Sequence, residues 1–195
     1  MKCILLAFAL GACTTSVSNT STEVRAGAWQ SVCVDAESVL GLHHAFFFKV
    51  TWTLNDDKTF ERVADQYSGK TCAALLTREV WRGTYVMGPF GKDGIATFAL
   101  TYASAELTAI ADGMRDDYNR NSYCGRKDWV LDEPRDIAGA LCSNRKIPAN
   151  DSIGYGKIKI ADSSIAVAAN DENADGSSPD KRAVNLEGLV FVRVD

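Results

Sequence analysis

Six cysteines and two histidines carry most of the reactive chemistry open to this chain of 195 residues. Cys33, Cys72, Cys124 and Cys142 lie in the body of the sequence, an even number that suits two disulfides in an oxidising compartment. Three pairings are open. Cys33–Cys72 with Cys124–Cys142 is the preferred one, because each bond joins neighbouring segments. Zinc is the rival use of these thiols, but no Cys-x-x-Cys spacing occurs. His43 and His44 are adjacent, and neighbours on a strand point to opposite faces, so they do not clamp one metal between both rings. Asp171-x-Asn173-x-Asp175-Gly176 begins like a calcium loop. It then fails, with Arg182 where a bidentate glutamate is needed and Pro179 inside the loop, and reads as a polar hairpin. Asp116-Asp117 and Asp132-Glu133 could supply acid catalysis, yet nothing in the sequence holds a pair at a glycosidase separation. No Gly-x-Ser-x-Gly, phosphate loop or dinucleotide fingerprint is present. No catalytic residue, metal or cofactor is therefore assigned, and binding is expected rather than catalysis.

The N-terminus reads as an address. Met1-Lys2 gives a positive start, Cys3 to Leu10 is a short apolar stretch, and Leu10-Gly11-Ala12-Cys13 follows. Small residues before the cut are what a signal peptidase admits. Leu-Gly-Ala-Cys looks like a bacterial lipobox, which implies that residues 1–12 are removed and that Cys13 carries lipid. An ordinary secretory signal with an incidental Cys13 is the alternative. Residues 13–25 include TTSVSNTST, too polar to bury and too small-chained to stiffen, and form a tether. The domain then spans residues 26–195. The expected place is the bacterial cell envelope, at the outer membrane, with the membrane as partner through several acyl chains, since one alone binds only marginally.

The elements that position these residues follow from charge and period. With 21 basic against 25 acidic side chains the net charge is −4, which argues against a nucleic-acid partner, because that requires a basic face. Apolar residues at 46% and charged residues at 24% exclude a wholly disordered chain. The period is mostly two. His44, Phe46, Phe48, Val50, Trp52 and Leu54 fall on one face of a strand, with a more polar set opposite. Further strands are expected at 27–35, 59–67, 73–87 with a bend at Gly83, 95–103, 129–131, 153–160, 165–169 and 183–194. The period changes once: Leu107, Ile110, Ala111, Met114 and Tyr118 have helical spacing. The predicted architecture is all-β, an antiparallel barrel of eight to nine strands with one short helix. Closure removes the exposed edges of such a meander, and a monomer is expected.

Gly27-Ala28-Trp29, opening the first strand, resembles the Gly-x-Trp signature of lipocalin-like barrels. AGAWQSVCV, YSGKTC, GTYVMG, CGRKDWVLDEPRDIAGALC and DGSSPDKR are similar to words of uncharacterised bacterial lipocalin-like lipoproteins. The resemblance implies the barrel, the disulfides and the lipid anchor, with Trp29 plugging the closed end under Arg193 of the last strand. It transfers no activity. Two functions are left. In one, the barrel binds a small apolar ligand against Phe46, Phe48, Trp52, Phe98 and Tyr102. In the other, those rings fill a solid barrel, and segments 105–125, 143–151 and 170–182 bind a protein or glycan, as an adhesin or hydrolase inhibitor does.

Overall fold

The computed structural model describes residues 26–35, 46–161, 163–168, 175–184, 186 and 189–194. Cys13, the tether, His43, His44, Asp171 and Asn173 lie outside the described residues. In chain order the elements are β1 (Gly27–Ser31), β2 (Val34–Asp35), β3 (Phe47–Leu54), β4 (Thr59–Tyr67), β5 (Leu75–Met87) and β6 (Ile95–Ala109). Helix α1 (Asp112–Asn121) and a single 3-10 turn (Tyr123–Gly125) follow. The short strands β7 (Arg135–Asp136), β8 (Leu141–Cys142) and β9 (Arg145–Lys146) lead to β10 (Ile153–Ala161), β11 (Ser164–Val167) and β12 (Val190–Arg193).

Eight of these strands close a barrel. The order runs β1, β3, β4, β5, β6, β10, β11, β12, every neighbour antiparallel, and β12 returns to β1. β3 to β6 and β10 to β11 pair with their neighbours in the chain through short connections, whereas β6 reaches β10 through the long segment between Ala109 and Ile153, and closure of β12 on β1 leaves the barrel no edge for another chain to pair with. The alternation read from β3 holds: Val50, Trp52 and Leu54 are buried, and their cross-strand partners Ala64, Arg62 and Phe60 share the inner face. Opposite Arg82 and Gly83 the register shifts, and the extra residue, Ala103, lies on β6 instead of β5. A Cβ at Gly83 would lie 1.9 Å from the carbonyl oxygen of Thr101, so only glycine lets the two backbones approach.

Several expected boundaries are corrected. The strand from Ile95 does not stop at Ala103 but runs to Ala109, because Ala105, Leu107 and Ala109 continue the inward alternation against Trp81, Glu79 and Thr77. Leu107 therefore belongs to the sheet, and the helix begins only at Asp112. No strand forms at 129–131; Trp129 is held instead by Asn119, whose Oδ1 accepts from the Trp129 backbone N–H and whose Nδ2 donates to its carbonyl. The last strand is Val190–Arg193 alone, with 183 and 184 outside it.

Residues 110–151, between β6 and β10, form a cap on the inner face of the long β5–β6 pair. Its core is Tyr118, Cys124, Trp129, Ile137, Cys142 and Ile147 against Ala105, Leu107 and Ala109. The barrel has a separate core, built on Trp29, Trp52, Phe60, Phe98, Tyr102, Ile158 and Phe191. Both preferred disulfides are present: Cys33–Cys72 joins the β1/β2 segment to the β4–β5 turn, and Cys124–Cys142 latches the cap to itself.

Candidate functional site

The two ends of the barrel differ in chemistry. At the end where β3 turns into β4, Trp29 is buried and pairs across the strands with Arg193. The Arg193 guanidinium lies 5.7 Å from the Trp29 ring centre and donates to the carbonyl of Ala26 at 3.0 Å. Trp29 and Arg193 thus come together in a stack of about 0.5–2 kcal/mol, with Gly27 two residues before Trp29 on β1. Above it, rings touch one another across the interior: Trp52 with Phe60 (5.8 Å) and Phe98 (6.2 Å), Phe60 with Tyr102 (6.0 Å), and Tyr85 with Phe98 (6.3 Å). This lower half is an apolar core in which ring edges meet ring faces.

Charge enters one level higher. Arg62 on β4 stands beside Trp52 on the inner face, and Glu79 on β5 stands beside Ala64 and Leu107. The side chains of Arg62 and Glu79 are only 19% and 8% exposed. Arg62 Nη1 donates to Glu79 Oε1 at 3.3 Å. Arg145, from the cap and half-exposed, donates to both oxygens of the same carboxylate. Both guanidiniums face the indole of Trp81, at 4.6 Å for Arg62 and 5.8 Å for Arg145. The Trp81 ring in turn meets Tyr102 edge to face at 5.6 Å. The layer is completed by Thr77, whose hydroxyl donates to Gln66 Oε1 at 3.0 Å, and by Tyr118 bonded to Thr77.

The electrostatics of the layer are unbalanced. Two guanidiniums share one carboxylate. Burial lowers the pKa of Arg62, the charge of Glu79 only partly offsets this, and the charge of Arg145 pushes the same way as burial. Burial also acts on Arg145, but there the charge and hydrogen bonds of Glu79 win and its pKa is raised. Glu79 is therefore mainly the partner of Arg145. Among the described residues, Arg62 uses one of its five N–H donors on protein. The Trp81 Nε1–H beside it is buried and has no acceptor among them.

The five aromatic residues predicted to line a ligand site separate by depth. Trp52 and Phe98 belong to the packed lower core, Tyr102 reaches the charged layer, and Phe48 packs on the core from above, beside Gln66. Phe46 is half-buried just before β3. The acidic pairs lie on the surface in local ion pairs: Asp116 with Arg115, Asp117 with Arg120, and Glu133 with Arg135. Asp175 accepts from the backbone and hydroxyl of Ser177, which closes its own turn. Arg182 donates to the carbonyls of Phe98 and Gly156. Among the described residues no group of three or more His, Cys, Asp or Glu is placed to hold a metal.

Sequence reasoning missed Arg62, Glu79, Trp81 and Arg145. Two of them carried a signal. Arg62 and Glu79 occupy inward positions of alternating strands, where a charge breaks the pattern. Arg145 carried none, since its approach depends on how the cap folds. No family model matches the chain, and no curated protein matches it. Among the described residues no helix is long and apolar enough to cross a membrane.

Proposed function

We propose that the chain is a cell-envelope lipoprotein, held to a bacterial outer membrane through Cys13, whose lipocalin-like barrel binds a small ligand in its upper half. The observation that carries this reading is the division of the interior. Ring-to-ring contacts line the lower half, whereas the upper half holds a partly exposed guanidinium and, under it, a buried Trp81 Nε1–H with no acceptor among the described residues. Buried polar groups in folded proteins are nearly always paired, and exceptions cluster where something else binds. The ligand then rests on Tyr102, Trp81 and Phe48 rather than deep between Trp52 and Phe98.

The protein- or glycan-binding alternative draws less support. Of the segments it relies on, 105–109 is strand, and Tyr118, Cys124 and Ile147 are buried in the cap core. These positions are spent on packing, while 143–146 and 149–151 are exposed. Native mass spectrometry of protein purified from its own host tests the reading. A small molecule should accompany the folded chain and leave on denaturation, and the mature N-terminus should be an acylated Cys13. A chain that flies bare when folded returns the function to the alternative, and a Cys13→Ser variant that stays in the membrane fraction removes the anchor.

A further inference from the structure

The outer wall of the barrel is divided as its interior is. Outside β4, β5 and β6 the charges are paired, Arg78 with Asp65 and Arg82 with Glu61 and Glu106. On the far side of the ring from β5, the last strand turns Val190, Val192 and Val194 outward, and they are 55%, 49% and 54% exposed. Their cross-strand neighbours are small or uncharged: Ala166 and Ser164 on β11, Gln30 and Ala28 on β1. One strand further, Lys157 and Lys159 lie on the outer face of β10, with Lys159 opposite Ala166. Among the described residues neither lysine has an ion-pair partner.

We propose that this wall, β10–β11–β12–β1, is the face that the barrel lays against an anionic lipid surface; the proposal rests on the reading that Cys13 anchors the chain there. An apolar stripe bordered by lysines matches negative headgroups over hydrocarbon. The place where the chain enters the barrel points the same way. Val194 donates its N–H to the carbonyl of Ala28 at 3.0 Å, and Arg193 Nη2 donates to that of Ala26 at 3.0 Å, so the first described residues lie at the end of the valine stripe. Residues 14–25 separate Cys13 from Ala26, a span of no more than about 45 Å even fully extended. An acylated Cys13 therefore keeps the wall close to the bilayer, and docking within one tethered particle needs little affinity of its own. The ion-paired wall then faces water.

The acylated chain from its own host, reconstituted into vesicles of phosphatidylethanolamine and phosphatidylglycerol with a photoactivatable diazirine in the acyl chain, tests this. On illumination, residues 189–194 should carry about fivefold or more lipid adduct than β4 and β5. Lys157→Gln and Lys159→Gln should each lower that enrichment about fivefold. Labelling spread evenly round the ring, or enrichment on the stripe that ignores both lysines, overturns the docking face and leaves the anchor standing. Adduct confined to the N-terminus, with a doubled mass in detergent, hands the stripe to a second copy of the chain. An unlabelled chain that separates from the vesicles overturns docking face and anchor together.

Discussion

The lower barrel and the charged layer above it are built from the same alternating strands, yet they solve opposite problems. In the lower half each inward side chain completes its neighbours: Trp52, Phe60, Phe98 and Tyr102 touch in sequence, and Arg193 covers Trp29 from outside. In the layer above, one step along β4 and β5, inward positions carry Arg62 and Glu79, and the pairing is incomplete. The contrast teaches that closing the barrel does not require charge inside it. Burying a guanidinium opposes folding unless its donors are met, and the proposed function gives Arg62 a use other than holding the walls together.

The sharpest way to break the comparison is to cut into each half. Trp52→Ala removes a ring buried among three strands and should lower the unfolding free energy by ~3–5 kcal/mol in urea melts; a loss under ~1 kcal/mol would take Trp52 out of the core. In the layer, Glu79→Gln leaves two guanidiniums facing each other without an anion. It should cost about 3 kcal/mol or more, and a neutral result would mean that the layer is open enough to water to screen the charges.

The cap offers a smaller cut. Opening Cys124–Cys142 with a double alanine variant should cost ~3 kcal/mol on the chain-entropy account of a short loop. Amide exchange should quicken in residues 123–147 and stay slow in β3–β6, because barrel closure does not pass through that bond. Cys33 and Cys72 should stay unreactive to a thiol reagent in denaturant; labelling there would refute the pairing.

The gentlest cut is pH. Burial raises the pKa of Tyr102, Tyr118 and Tyr123 above the ordinary phenol value of 10.0. The folded state therefore favours their protonated form, and their contribution to stability is whole below that value and lost as pH rises past it. Phenolate absorbance of these three should appear together with unfolding in alkali, and a titration of all tyrosines before unfolding would mean that the cap does not seal the layer.

How much of this was legible beforehand depended on whether local pattern or long-range packing decided the matter. The β3 alternation is a local consequence of side-chain order, and it is readable in the sequence. The stop of β6 was not. Leu107 fits the helical spacing of Ile110, Ala111, Met114 and Tyr118 as well as the alternation of Ala105 and Ala109, and only the place of these three opposite Thr77, Glu79 and Trp81 decides between the two. The site is half legible in the sequence: the aromatic residues share one strand face, while Arg62 and Glu79 stand out only once the inward faces of β4 and β5 are known. Arg145, 66 residues from Glu79, depends on the folded cap.

Under the proposed function, Arg62 is held in the barrel for binding and not for stability. Equilibrium unfolding of Arg62→Met beside the wild type measures it most directly. Because Arg145 still neutralises Glu79, and methionine keeps the volume of the buried stem, the variant should match the wild type within ~1 kcal/mol or exceed it. A loss near the ~3–5 kcal/mol expected for Trp52→Ala would show instead that Arg62 is a structural partner of Glu79, and the layer would be a core contact like those beneath it.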